Sequence, residues 1–502
     1  MVATRSHLVH APPTKRQPAT DDVQGSIVAQ AANDPIGAAA AAQGLDNVKN
    51  YLQGGDQAQY TLIQDDANNP SAQYPWNQNV GTNPNANAQA GANADGNSQG
   101  WVGLPQLQMF DLKRDQVIKE NATQPYYITS NYNPALIKKA VIVMPGKPRD
   151  SWKYTDLVYN SMQTAAINHP EWQIDNKTIL VIGPAWLNQF DQQYGAANPM
   201  DLVFHGSQWQ SGGYSRSPQL NHSITTYEVL DWFTDWLFNT TNFPNLNGVT
   251  FAGHSMGGQA VARYALVKKQ KKYDDNISYW MGNPGSWAWL SDQRPFQNAS
   301  CTDFDNWPYG IGGNQTKVTK YARKDVIADK QAILDRFKTR KVHYALGLLD
   351  NGPGDTHCQA VMQGGNHLDR GSNFIQQFKD LGGFPSTHTA TFVANASHQD
   401  YAMLSANASM NFLFVDGASQ RNPDITPHNP SDKNKTTSSG PDPNPKPKAF
   451  ATPIHKIISY ALLGGSVGLI SLIFIILPFC FPANSDPWEQ EKWENDSKRQ
   501  LL

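Results

Sequence analysis

Ser255 lies in Gly253-His254-Ser255-Met256-Gly257-Gly258, a G-x-S-x-G spacing that can present a nucleophile on a tight turn. With Gly and Ser each near roughly 7% of an average chain, this spacing arises by chance roughly 0.2 times in a chain this long, so its context has to decide. Val249-Thr250-Phe251-Ala252 reads as a short apolar strand, and the stretch from Gln259 to Lys269 puts Val261, Tyr264 and Ala265 at helical spacing. The motif therefore sits on strand, turn and helix. A serine on that turn is held at strained backbone angles, and glycines flank it where a Cβ would strike a neighbouring element. Its hydroxyl alone is a poor nucleophile near neutral pH. A histidine has to take its proton, and a carboxylate has to hold that histidine in the right tautomer.

Both partners are expected downstream, in the order serine, acid, histidine. Lys341 to Gly347 reads as a strand, and Leu348-Leu349 carries Asp350 onto the loop at its C-terminal edge, which makes Asp350 the expected acid. Asp355 in the same loop is the alternative, and Asp369 beside Arg370 reads as a surface charge. Thr389 to Val393 reads as the next strand and leads through Ala394-Asn395-Ala396-Ser397 to His398, the expected base, again at the edge where ligands bind in open α/β sheets. His357, His367 and His388 follow no clear strand in the required order and read as satisfied loop histidines. Two N–H donors should face the developing oxyanion. One is the backbone N–H of Met256. The other is assigned to Lys147, in the Pro145-Gly146-Lys147 turn after the predicted strand Ala140 to Met144. Such chemistry needs no cofactor, and the sequence has no H-E-x-x-H metal motif. Trp152, Trp186, Trp209, Trp287 and Trp289 fall near predicted loops, where they can line a cleft, although packing is the commoner role for such residues.

The elements that must position these residues lie within residues 106–417, where apolar strands alternate with amphipathic helices. That is the pattern of a mostly parallel sheet covered by helices on both faces, an α/β fold in one domain. Residues 1–105 are rich in Ala, Gln, Asn and Gly and read as a disordered low-complexity region, with short helices around Val48 to Leu52 as the exception. Residues 418–456 read as a Pro/Asn/Ser/Lys-rich stalk. Ile457 to Phe481 carry no charge over about 25 residues, more than the roughly 20 that cross a bilayer core, and read as one transmembrane helix followed by the short polar tail 482–502. Lys+Arg of 40 against Asp+Glu of 42 leaves no field to hold a polyanion, so nucleic acid is not an expected partner. The expected partners are a small-molecule or lipid ester and, through the single helix, a membrane.

Three cysteines exclude a disulfide scaffold and a Cys-rich zinc site. Cys301 and Cys358 can pair, and two unpaired buried thiols are the equal alternative. Lys446, Lys448 and Lys456 before the span balance Lys492, Lys498 and Arg499 after it, so charge does not orient the helix. Sequons at Asn121, Asn176, Asn221, Asn239, Asn276, Asn298, Asn314, Asn395, Asn407 and Asn434 precede the span, with one more at Asn495 after it, and their distribution favours an exoplasmic domain and a glycoprotein. A tail-anchored domain in the cytosol is the alternative, since no cleavable signal is visible.

Several further segments resemble one group of proteins. Thr226-Tyr227-Glu228-Val229-Leu230-Asp231, Phe243-Pro244-Asn245-Leu246, GHSMGGQAVARYAL, MGNPGSWAWL from Met281, Trp307-Pro308-Tyr309-Gly310, QGGNHLDRG from Gln363 and FVANASHQDYAM from Phe392 are similar to motifs of a largely uncharacterised, often secreted serine-hydrolase group of the α/β-hydrolase superfamily. The resemblance runs from Ile137 to Phe414. It implies an α/β-hydrolase fold with Ser255 as nucleophile, Asp350 as acid and His398 as base. Where many members carry His-Gly in the oxyanion loop this chain has Pro145-Gly146, and Gln399 follows the histidine where an acidic residue is usual. The resemblance names no substrate. A carboxylic ester is the expected bond, a thioester, lipid or peptide bond is open to the same triad, and a non-catalytic surface protein on this scaffold is the rival.

Overall fold

Near-continuous runs of Val, Ile, Leu and aromatic residues become the centre of a sheet because both of their faces are covered. In this computed structural model, which describes residues 17–46, 60–62, 73–75, 100–101 and 103–415, the main sheet has eight strands. In chain order they are β1 (Phe110–Lys113), β2 (Tyr126–Thr129), β3 (Lys139–Met144), β4 (Ile179–Pro184), β5 (Gly248–His254), β6 (Ile277–Gly282), β7 (Lys341–Gly347) and β8 (His388–Val393). Their spatial order is β8-β7-β6-β5-β3-β4-β2-β1. Strands β3 to β8 run parallel, while β2 pairs antiparallel with both β4 and β1.

Helices α1 (Asp21–Ala31) and α2 (Pro35–Gln43) precede the sheet, and α3 (Ser151–Asn168) covers one of its faces. The other face carries α4 (Thr226–Leu237), α5 (Met256–Val267), α6 (Lys320–Ala328), α7 (Lys330–Lys338) and α8 (His367–Gln376). A short α9 (Asp400–Leu404) follows β8. Strand alternation divides the apolar side chains between two cores. Ala140, Ile142 and Met144 join α4, α5, α7 and α8, whereas Val141 and Val143 meet Leu157, Val158 and Met162 of α3. Trp152, Trp186, Trp209, Trp287 and Trp289 are all buried in these cores, so packing and not a cleft accounts for them.

The N-terminal region differs from the expected disorder. Residues 21–43 form the helix pair α1 and α2, whose Ile27, Ala31, Ala38, Ala39 and Ala42 are buried in the main core. Asp34 caps α2 by accepting the Gly37 N–H at 2.8 Å, and Pro35 opens the helix where no N–H is needed. Alanine orders without loss of side-chain entropy and lets a helix approach closely, which is how an apparently low-complexity run can pack. Residues 48–52, the stalk 418–456, the span 457–481 and the tail 482–502 lie outside the described residues. Among the described residues no helix is long and apolar enough to cross a membrane. Cys301 and Cys358 are joined in a disulfide with Cα atoms 5.9 Å apart, linking the segment after β6 to the segment after β7.

Candidate active site

Strand β3 lies at the point where the winding of the sheet reverses, with β4 added on one side and β5 on the other. A crevice opens at such a point beyond the carboxyl ends of the strands, and both the loop after β3 and the turn after β5 face it. Strand β5 ends at His254, and the chain turns so tightly that Ser255 takes φ 58° and ψ −123° before α5 begins at Met256. This is a strained conformation for a residue with a Cβ. The Ser255 N–H donates to the Gly282 carbonyl at 2.8 Å, which fixes the turn to the end of β6. A side chain on Gly253 would strike the Gly257 backbone, and one on Gly257 would strike the Met144 and Pro145 carbonyls. Gly257 therefore lets the loop after β3 lie against the turn.

Asp350 follows β7 and is fully buried, and His398 follows β8 and is 7% exposed. His398 Nδ1 stands 2.7 Å from Asp350 Oδ2, and its Nε2 stands 2.8 Å from Ser255 Oγ. An ionised carboxylate can only accept, so the imidazole proton sits on Nδ1 and Nε2 is left to accept from the serine hydroxyl. Burial alone would raise the Asp350 pKa, but His367 and His398 outweigh it and hold this carboxyl well below the usual carboxylate range. For His398 burial works against the charged form, yet Asp350 and Asp400 more than offset it and raise the imidazole pKa.

The other candidates stand elsewhere. Asp355 accepts from Ser286 at 2.9 Å, from Tyr309 at 3.0 Å and from His357 at 2.6 Å; burial raises its pKa, but His357 and then Ser286 outweigh this and hold it at about 2. Asp369 lies on α8 and bonds Asn366, and His388 bonds the Tyr344 hydroxyl and the Phe337 carbonyl. His367 is no loop histidine. It opens α8, stacks on His398 with ring centroids 4.1 Å apart, and donates its Nδ1 proton to the Gly352 carbonyl at 3.0 Å, the same nitrogen standing 3.1 Å from Asp350 Oδ1. Met256 is the first residue of α5, where amides lack an intrahelical acceptor, and Lys147 is exposed on the loop held against the turn.

Sequence reading missed a second buried cluster beside this one. His254 Nδ1 stands 2.6 Å from Asp400 Oδ1, and Tyr154 and Lys153 of α3 also bond Asp400. The acidic residue near the histidine is therefore present one position later than the resemblance leads one to expect. Gln399 instead accepts the Ser397 N–H at 3.1 Å. Two groups among the described residues have metal-ligand chemistry, Asp350/His367/His398 and Cys301/Asp303/Cys358; the first is engaged with Ser255 and the second has its sulfurs bonded together.

A mostly parallel eight-stranded sheet with helices on both faces and a serine on the turn after β5 fits the α/β-hydrolase fold. Similar solved structures include a poly(3-hydroxybutyrate) depolymerase from Bordetella parapertussis, 17% identical over 60% of this chain and 90% of that one, with a TM-score of 0.40. A poly(aspartic acid) hydrolase from Sphingomonas sp. KT-1 is 14% identical over 61% and 97%, with a TM-score of 0.41. An IroE-like serine hydrolase from Shewanella oneidensis is 17% identical over 62% and 81%, with a TM-score of 0.34. No family model matches the chain, and no curated protein matches it. At these identities and scores the site's own geometry carries the functional reading.

Proposed function

We propose that the chain is a serine hydrolase that cleaves a carboxylic ester through an acyl-enzyme. The supporting observation is the unbroken line from Ser255 Oγ to His398 Nε2 at 2.8 Å and from His398 Nδ1 to Asp350 Oδ2 at 2.7 Å. Ser255 Oγ attacks the carbonyl carbon while its proton passes to His398 Nε2. The N–H groups of Met256 and Lys147 receive the oxyanion, and His398 returns the proton to the leaving alcohol as the C–O bond breaks. Water then attacks the acyl group with His398 as base, and Ser255 departs with the proton. Asp350 holds the ring and balances the imidazolium. The rival, a non-catalytic scaffold, leaves unexplained a strained Ser255 backbone that costs about 1–3 kcal/mol.

The predicted helix 457–481 anchors the domain through the stalk, on the exoplasmic side. The Cys301–Cys358 bond supports an oxidising compartment, and the sequons at Asn121, Asn221, Asn239, Asn276, Asn298 and Asn314 lie at exposed positions. One experiment tests both parts: fluorophosphonate labelling of the full chain after an alkaline wash of membranes. Label in the pellet that disappears in Ser255→Ala is the expected result. A folded chain that takes no label contradicts the hydrolase, and label released into the wash contradicts the anchor.

A further inference from the structure

Asp400 is buried two residues beyond His398, at the start of α9. Three side chains converge on it from two other elements. Its Oδ1 accepts from the Tyr154 hydroxyl at 2.7 Å and from His254 Nδ1 at 2.6 Å, and its Oδ2 accepts from Lys153 Nζ at 2.7 Å. Two of these arms continue to backbone beside the reacting atom. The Tyr154 hydroxyl lies against Gly146, in the loop expected to supply an oxyanion donor, so closely that a Cβ on Gly146 would strike its oxygen. His254 immediately precedes Ser255, and with its proton on Nδ1 its Nε2 accepts from Asn283 Nδ2 at 3.2 Å. Asn283 also donates to the Ser397 carbonyl at 3.1 Å and accepts the Gly347 N–H at 2.8 Å. Hydrogen bonds thus connect one carboxylate to the nucleophile turn and to the segments leading to both Asp350 and His398, and the Tyr154 contact with Gly146 extends the cluster to the oxyanion loop.

Stability alone does not account for this cluster. Burying a carboxylate and an ammonium together costs about as much in desolvation as their attraction returns, and apolar residues of similar size do as well. What the network reaches is backbone that must not drift, since misplacement by about 1 Å is enough to cost 100-fold in rate.

We propose that Asp400 is a positioning residue: through Tyr154 it sets the oxyanion loop, and through His254 it sets the nucleophile turn, so that the Lys147 and Met256 N–H groups face one point. Lys153 supplies the compensating charge. The proposal rests on the serine-hydrolase reading, and its test separates the two. Tyr154→Phe removes one hydroxyl and keeps the ring, so the core stays filled. We expect its fluorophosphonate labelling rate and its kcat on a p-nitrophenyl ester to fall roughly 10- to 100-fold, with KM within about threefold, because the loss lies in the transition state. Asp400→Asn should lose at least as much, and the double variant little more than Asp400→Asn alone, as expected of groups acting in one network. Rates are normalised to titrated sites, so that partial unfolding is not read as slow chemistry. Single variants that label and turn over at the wild-type rate, or that change only KM or the melting temperature, overturn the proposal, and Tyr154→Phe decides alone if Asp400→Asn does not fold. A wild type that takes no label, as Ser255→Ala should not, overturns the hydrolase reading and the proposal with it.

Discussion

At the scale of the residue, the rings of His254 and His367 stand beside that of His398, the imidazole hydrogen-bonded to Ser255. Burial dominates at His254 and His367 and lowers both pKa values, which disfavours their charged forms. At His398 the nearby carboxylates Asp350 and Asp400 outweigh burial and raise the pKa above the ordinary value of about 6.5. The base acts in its neutral form, so a raised pKa moves the acid limb of the rate profile upward: kcat/KM should fall as pH drops through an apparent value above about 6.5. Asp350→Asn removes the nearest negative charge. It should shift that limb to lower pH and cut kcat by about 10⁴, the effect of losing the group that fixes the tautomer. A pH–rate profile measures both, and a limb that does not move in the variant contradicts the assignment of Asp350.

At the scale of the element, the convergence of Ser255, Asp350 and His398 was legible because each follows a strand whose apolar run is unmistakable. Val249-Thr250-Phe251-Ala252, Lys341 to Gly347 and Thr389 to Val393 became β5, β7 and β8 within a few residues, and a parallel sheet fixes their carboxyl ends side by side. The Asp400 cluster was not legible. Its members come from β5, α3 and the turn after β8, and an aspartate opening a short helix looks like any first-turn acid. Helices α1 and α2 were hidden for another reason, since alanine faces carry little hydrophobic contrast. Their docking reaches the site. Gln24 accepts the Asn395 N–H at 2.8 Å and donates to its side chain at 3.1 Å, in the loop that leads to His398, while Gln43 donates to Asn373 of α8 at 2.7 Å. Gln24→Ala leaves the Asn395 N–H without that acceptor and should destabilise by about 1–3 kcal/mol. Removing residues 17–46 should lower the melting temperature further and slow ester turnover by loosening the His398 loop. Thermal unfolding and turnover of the two variants check this, and a truncated chain as stable and active as the full one contradicts it.

At the scale of the whole molecule, one sheet with two cores carries Ser255, Asp350 and His398 on three different loops, and the order of strands brings them together. Chain order and composition made the α/β class legible, while contacts between distant segments, such as Gln24 with Asn395, leave no periodic trace in a single sequence. The N-terminal helices belong to the folded body, so a soluble form suited to biochemistry should begin before Gln17 and not at the first sheet strand. The central claim is that an acyl group passes through Ser255. The most direct measurement is the intact and peptide mass of the chain quenched in acid during turnover of a p-nitrophenyl ester. The account predicts a single acyl adduct on the peptide containing Ser255, absent in Ser255→Ala and trapped in greater yield when water attack is slow. Ester turnover undiminished in Ser255→Ala, or an adduct on any other residue, would contradict it.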